Sequence, residues 1–290
     1  MDPIIYLNDR FLSVDEAMLS ATDLSILRGY ALTEYLRTYQ RVPFHLFDHL
    51  RRLERGAFQT KIPLPKTIQE IAHIIRSLIE RTSFEEVTIQ IVLTGGSSSN
   101  YYLPLGSSNL IMIAYPVHPP QKVLYQEGIS LVTRIGARSF SMAKTSHYLP
   151  SIVALQELEE NPHTEACTDV LFLDHSGAIL ETGTANFFAI KEQKIVTPAR
   201  GVLHGVTRRI VLNKLLSPLS CETRRISVRE VSSFDGAFLT SSSKEVMPVK
   251  RINGFLYMKG GVHPMIARVM QDFSLYTHSH TACRSPLLSR

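Results

Sequence analysis

Apolar residues recur along this chain in two rhythms, period two and period three-to-four, broken by short clusters of glycine, proline and hydroxyl residues. From Ile4 to Leu46 the pattern favours short strands: IIYLN, a polar stretch, then TEYLRTY and PFHLF on either side of the polar QRV. Asp48 to Phe58 reads as a helix, with Leu50 and Leu53 on one face and His49 and Arg52 on another. Thr67 to Thr82 predicts the clearest helix: Ile68, Ile71, Ile74, Ile75, Leu78 and Ile79 form an apolar stripe, and Pro65 stands just before its start. VTIQIVLTGG and NLIMIAYPV predict apolar strands, with SSSNYYLPLGSS as a surface loop between them.

The interval PVHPPQKV packs three prolines together, which predicts a stiff, extended linker and a domain boundary. Beyond it the chain is mostly strand and turn: VLFLD with AILE, and NFFAI with IVTP, predict hairpins, and GAFLT leads into a serine run. Helices are expected at about Leu149 to Glu159, Thr207 to Leu216 and Pro264 to Tyr276. The resulting class is α/β (α+β), with a small N-terminal α/β domain over residues 1–116, a linker over 117–124 and a larger strand-rich domain over 125–290. THSHTACRSPLLSR shows no periodicity, so about 277–290 is expected to be a loose tail.

A length of 290 residues suits two domains, and 44% apolar with 20% charged residues excludes a disordered chain. The 31 Lys plus Arg against 26 Asp plus Glu give only +5, with no basic block longer than a pair, so nucleic acid is not an expected partner. A small anionic ligand suits the excess equally well. Cys167, Cys221 and Cys283 form no CxxC pair and read as incidental thiols of a reducing cytoplasm. No apolar run approaches the roughly 20 residues of a membrane span, and no metal site is expected.

Lys144, in RSFSMAKTSHYLPSIVAL, lies among small and apolar residues, where a lysine can lose its proton and act as a nucleophile; the alternative is plain surface charge. Glu181 ends the strand AILE, and a carboxylate there would hold a pyridine nitrogen protonated or be only a polar strand end. LHGVTRRIVL reads as a glycine turn opening a helix, whose first amides suit an anion, and FLTSSSKEV adds three hydroxyls in a turn.

These features occur in an order that resembles the class IV (fold type IV) pyridoxal-phosphate aminotransferases, a family that holds D-amino-acid and branched-chain transaminases and aminodeoxychorismate lyase. The resemblance covers about residues 3–275 and is carried by DLSILRGYALTEYLRTY, HLRRL, AKTSHYL, DVLFLDHSGAILETGTANFFAI with VTP, LHGVTRRIVL and FLTSSSKEVMPV. It implies a strand-rich pseudo-barrel in the second domain and pyridoxal 5'-phosphate as cofactor. It implies that Lys144 bonds to the cofactor and shuttles a proton, and that Glu181 faces the pyridine nitrogen. Arg52, Val206, Thr207 and Ser242 would hold the phosphate, and Tyr148 would meet the ring's phenolic oxygen.

For the substrate, Arg28, Tyr35 and Ser243 are the expected contacts. Branched-chain members resemble YGxxxFEG where this chain reads RGYALTEY, so Arg28, Thr33 and Tyr35 alter their aromatic box, while the lyase's threonine-bearing FTT is absent. Arg28 could bind a carboxylate bidentately, as in a subset of D-amino-acid transaminases. Gln90 stands where those enzymes would offer another arginine, His147 where many members have Asn, and Arg37 and Arg134 could compensate. The expected activity is a D-amino-acid transaminase using amino acids and 2-oxo acids. Branched-chain transaminase and lyase are the runners-up, and a non-catalytic cofactor-binding relative is the alternative of another class. A cytoplasmic homodimer with shared sites, in which Arg28 could act in trans, is implied as well.

Overall fold

Period-two alternation in the first 116 residues builds one antiparallel sheet. In the computed structural model, which describes residues 2–136, 140–160, 167–216 and 220–282, strands β1 (Ile4–Leu7), β2 (Arg10–Leu12), β3 (Ala31–Tyr39), β4 (Val42–Pro43), β5 (Val87–Thr94) and β6 (Asn109–Pro116) pair in the order β2-β1-β6-β5-β3-β4. Helices α2 (Leu46–Thr60) and α3 (Ile68–Arg81) cover one face. Leu50, Leu53, Ile71, Ile75 and Leu78 there meet Leu32, Leu36, Ile89, Ile91 and Met112 of the sheet in one core. Alternation leaves Thr33, Tyr35, Arg37, Gln90, Val92, Ile111, Ile113 and Tyr115 on the opposite face. The start of α3 is fixed by a capping box, in which Thr67 accepts from the Glu70 N–H and Glu70 accepts from the Thr67 N–H.

Two segments differ from the sequence pattern. PFHLF is not a strand: β4 stops at Pro43, His45 adopts a left-handed backbone with φ 50°, and α2 begins at Leu46. The polar stretch after β2 contains a helix, α1 (Leu24–Arg28), too short to show a period. Its cap Asp23 is buried and accepts from the Ser25 N–H at 2.7 Å, Thr94 Oγ1 at 2.8 Å and Asn109 Nδ2 at 2.7 Å, so one carboxylate sets the helix.

The chain divides into two units, the first made of Met1–His118, Ala143–His147 and Thr277–Arg290, the second of Pro119–Met142 and Tyr148–Tyr276. Residues 143–147, and with them Lys144, therefore cluster with the first unit although they lie within the stretch read from sequence as the second domain. The second unit begins at Pro119, and α4 (Lys122–Glu127) takes up the last residues of the interval read as an extended linker.

After α4 come β7 (Ile129–Ile135), α5 (Leu149–Glu160), β8 (Cys167–Leu173), β9 (Ile179–Thr182), β10 (Asn186–Lys191) and β11 (Lys194–Pro198). Helix α6 (Val206–Ile210) passes into a π-helical turn over Val211–Leu215, followed by β12 (Cys221–Arg224), β13 (Gly236–Ser241), β14 (Glu245–Ile252), β15 (Phe255–Leu256) and α7 (Pro264–Ala282). The strand order is β12-β11-β10-β13-β14-β7-β8-β9, and β9 pairs with β10 as well as β8. That second pairing closes six strands into a ring, the strand-rich barrel expected. Leu131, Leu171, Ile179, Phe187, Leu239, Met247 and Val249, drawn from all six, form its apolar core.

The tail expected from Thr277 is helical to Ala282, because Thr277 and Thr281, four apart, are buried, and Thr281 Oγ1 bonds back to the His278 carbonyl at 2.8 Å. Residues 283–290, including Cys283, lie outside the described residues, as does the Cys167 side chain. Among the described residues no helix is long and apolar enough to cross a membrane.

Phe187 is fully buried among those barrel residues. Phe187→Ala is expected to destabilise the protein by about 3–5 kcal/mol, read as a lower urea midpoint.

Candidate functional site

Lys144 is placed by backbone pairing. β4 reaches only Thr38 and Tyr39 of β3, which leaves the beginning of β3 with an open edge. Residues 143–146 fill it: the Thr33 N–H donates to the Lys144 carbonyl at 2.8 Å, and the Ser146 N–H donates to the Ala31 carbonyl at 3.1 Å. Leu32 and Thr145 stand directly opposite each other. Leu32 and Ala143 belong to the first core, so strand alternation turns Lys144 and Ser146 to the other face, shared with Thr33, Tyr35 and Gln90.

The core face of the same strand carries a buried ionic cluster. Glu34 lies between Leu32 and Leu36 and is fully buried; Arg52 of α2 donates to it in a fork, Nε to Oε1 and Nη2 to Oε2, each at 2.7 Å. His49 Nδ1 lies 3.0 Å from Glu34 Oε2. Burial alone would raise the Glu34 carboxyl, but the Arg52 guanidinium and the His49 hydrogen bond prevail and lower it to about 2. Burial lowers the His49 ring, against the pull of Glu34. The fork fixes the plane of Arg52, the residue expected at the phosphate. The sequence pattern sets His49 beside Arg52 on one helix face, but Glu34 is not among the expected residues, although an acid at a core position of TEYLRTY is a signal for such a pair.

The other residues expected in the first unit lie apart from that core. The Tyr35 hydroxyl is 3.5 Å from Thr88 Oγ1, and Gln90 Oε1 accepts from Tyr115 at 3.4 Å. Burial, with the neighbouring Tyr35, pushes the Tyr115 phenol up to about 12. Arg28 ends α1 exposed, its Nη1 donating to the Leu27 carbonyl at 2.8 Å, and His147 is exposed. The Arg37 guanidinium lies 4.4 Å from the centre of the Tyr39 ring. In the second unit, Arg134 Nε stands 3.9 Å from Glu157.

Glu181 owes its orientation to an irregular strand. Leu171 of β8 pairs with Thr182 of β9 and Leu173 pairs with Ile179, so β9 spends one residue more than β8 over the same interval. This bulge reverses the alternation: Ile179 belongs to the barrel core, and Glu181 pairs instead with Asn186, on the side away from the core residues Phe187 and Ala189. Asn186 in turn stands opposite Thr240 of β13, which gives a row of three polar residues exposed by only 5%, 4% and 1%. Glu181 Oε2 accepts from Asn186 Nδ2 at 2.7 Å and from the Leu203 N–H at 3.1 Å.

Gly205 caps α6, and no described side chain caps it, so the first amides, those of Val206 and Thr207, are not taken by a side-chain acceptor. Burial lowers the neighbouring Arg208 guanidinium, opposed by the charges of Cys221 and Glu181; its Nη2 donates to the Pro198 carbonyl at 2.9 Å. Ser242 and Ser243 are half-buried in the β13–β14 turn, which Ser241 Oγ tightens by accepting from the Lys244 N–H at 3.0 Å. Lys244 Nζ ties this turn to Asp169 at 2.7 Å and Thr184 at 2.8 Å. The Tyr148 carbonyl accepts from the Ser151 N–H at the start of α5. Thr240 Oγ1 is buried with no hydrogen-bond partner among the described residues. A buried carboxylate, uncapped helix amides, hydroxyls in a turn and one orphaned hydroxyl make a donor set that fits pyridoxal phosphate, with its basic ring nitrogen and its phosphate. Asn186 and Thr240 were missed because the row they share with Glu181 follows from register and not from spacing.

A family model described as amino-transferase class IV matches residues 31–252. A probable branched-chain-amino-acid aminotransferase of Thermotoga maritima is 28% identical over 275 residues, 93% of this chain and 94% of that protein. A D-alanine aminotransferase of Staphylococcus epidermidis is 25% identical over 287 residues, 96% and 99% of the two chains. The T.th. branched-chain amino acid aminotransferase, solved with pyridoxamine 5'-phosphate, superposes with a TM-score of 0.86 at 21% identity, over 96% of this chain and 94% of that one.

The Glu34 cluster has a pH signature. Its carboxyl lies at about 2 when folded against 4.5 as the ordinary value, so its contribution is complete above the ordinary value and is lost as pH falls toward the folded one. Urea midpoints between pH 7 and pH 3 are expected to fall in the native protein. Glu34→Gln removes that component and the counter-charge of the Arg52 fork, at a cost of about 3–5 kcal/mol at pH 7.

Proposed function

The chain belongs to the class IV aminotransferases, which use pyridoxal 5'-phosphate, and we propose that within this family it moves an amino group between a D-amino acid and a 2-oxo acid. The observation that carries the transamination reading is the edge pairing on β3, which presents Lys144 on a sheet face apart from the apolar core. When bound, the cofactor supplies an electron sink for the bond broken at the substrate α-carbon.

This chain's residues supply the rest. Lys144 Nζ would hold the cofactor covalently until the substrate amine displaces it, and the freed amine would then move a proton between the substrate α-carbon and the cofactor C4′ that it had been bonded to. The Glu181 carboxylate, held by Asn186 and the Leu203 N–H, pairs with the protonated ring nitrogen. Arg52, Val206, Thr207 and Ser242 are the phosphate donors of this reading. A charge-assisted hydrogen bond contributes roughly 1.5–3 kcal/mol, so several of them retain the cofactor while its covalent link is open. Tyr148 is assigned to the phenolic oxygen.

Arg28 supports the D-amino-acid reading. Its exposed guanidinium suits a substrate carboxylate, and in the cytoplasmic homodimer that belongs to this proposal it acts in trans. Tyr35 and Ser243 complete the substrate contacts. One observation favours a second reading, transamination of branched-chain L-amino acids: Val92, Ile111 and Ile113 are half-buried apolar residues on the Lys144 face and suit an aliphatic side chain. A relative named for that activity is 28% identical.

Substrates presented one at a time to the cofactor-loaded protein distinguish the two. D-Ala or D-Glu is expected to convert the cofactor's visible band to that of the amine form; conversion by L-Leu or L-Ile alone favours the second reading and removes the first. Lys144→Ala is expected to slow the half-reaction by at least about 1,000-fold. A variant that keeps the native rate contradicts the role of Lys144.

A further inference from the structure

We infer that Asn186 is a positioning residue, whose amide holds the Glu181 carboxylate in register with the start of α6 so that one side chain sets both the ring-nitrogen anchor and the phosphate anchor. The inference rests on the reading of Glu181 given above and extends it to a residue that touches no reacting atom.

The Asn186 amide nitrogen has two hydrogens and both are committed. One goes to Glu181 Oε2 at 2.7 Å and the other to the Leu203 carbonyl at 2.8 Å. Leu203 closes the loop by donating its own N–H to the same Glu181 oxygen at 3.1 Å. The Leu203 carbonyl also accepts from the Gly205 N–H at 2.9 Å, so the turn that leads into α6 folds around the Asn186 side chain. Its other side is equally close: a Cβ on Gly205 would lie 2.1 Å from Asn186 Oδ1. The carboxylate, the amide and the 203–205 turn are therefore one hydrogen-bonded body, and α6 begins at the residue that follows it.

Side-chain chemistry at this position is narrowly restricted. Alanine removes both donors and leaves a buried carboxylate short of one of them. Aspartate keeps the shape but sets a second negative charge against Glu181, and like charges at hydrogen-bond distance drive one of them to take a proton. The neighbouring groups are not bonded to the amide: Thr240 across the strand bears a hydroxyl without a partner among the described residues, and Arg208, whose guanidinium feels the Glu181 charge, is turned to Thr197 and Pro198.

The test compares the native protein with N186A, N186D and E181Q, each stripped of cofactor and titrated with pyridoxal 5'-phosphate, with the visible absorption band of the bound form recorded. N186A is expected to bind about tenfold more weakly and N186D more weakly still, and both are expected to show the band displaced in the direction E181Q displaces it. If E181Q matches the native protein in affinity and band, the Glu181 reading is wrong. If E181Q alters both while N186A and N186D match the native protein, the role of Asn186 is overturned. A lowered melting temperature of the stripped N186A with native affinity and band overturns it too. Should N186A fail to fold, N186D gives the same decision.

Discussion

Two backbone hydrogen bonds on the open edge of β3 determine where Lys144 stands, and the chemistry proposed for this protein depends on that placement. The Thr33 N–H and the Ala31 carbonyl hold residues 143–146 against β3 through an isolated bridge at Thr145. Once that bridge is in register, Ala143 enters the first core and Lys144, its neighbour, faces away from it. A slip of one residue would bury the amine among Leu32 and its neighbours, where a charge has no partner to offset its desolvation. The small residues around Lys144 follow from the same constraint, since Ala143 fits where Gly56 and Leu32 leave little room.

The second unit solves the opposite problem by irregularity. A regular β9 would keep Glu181 on the side of Ile179, inside an apolar barrel. The extra residue of the bulge turns it outward to Asn186 and into a row of buried polar groups. Both devices act through the main chain. The barrel provides rigidity, and the break in the period of β9 turns Glu181 out of its apolar core.

Local signals carried much of this into the sequence. The helix from Ile68 was plain because Thr67, Glu70 and an isoleucine stripe agree, and the glycine turn before Val206 was legible from composition. Lys144, Glu181 and the serine turn were found by their order along the chain, through a family resemblance that the match over residues 31–252 bears out. What stayed hidden was either non-local or without period. Helix α1 is set by Asp23, whose partners Thr94 and Asn109 lie more than seventy residues away. The last turn of α7 is held by two buried threonines in a segment that otherwise reads as polar. The attachment of residues 143–147 to β3, and the alignment of Glu181, Asn186 and Thr240 across three strands, are matters of register, which composition does not encode.

The central claim is that Lys144 is the residue that bonds to the cofactor. Its direct measurement is borohydride reduction of the cofactor-loaded protein followed by proteolysis and peptide mass mapping. A pyridoxyl-phosphate adduct confined to the peptide containing Lys144 is the expected result. An adduct on another lysine, such as Lys244 in the serine turn, with Lys144 unmodified would contradict it.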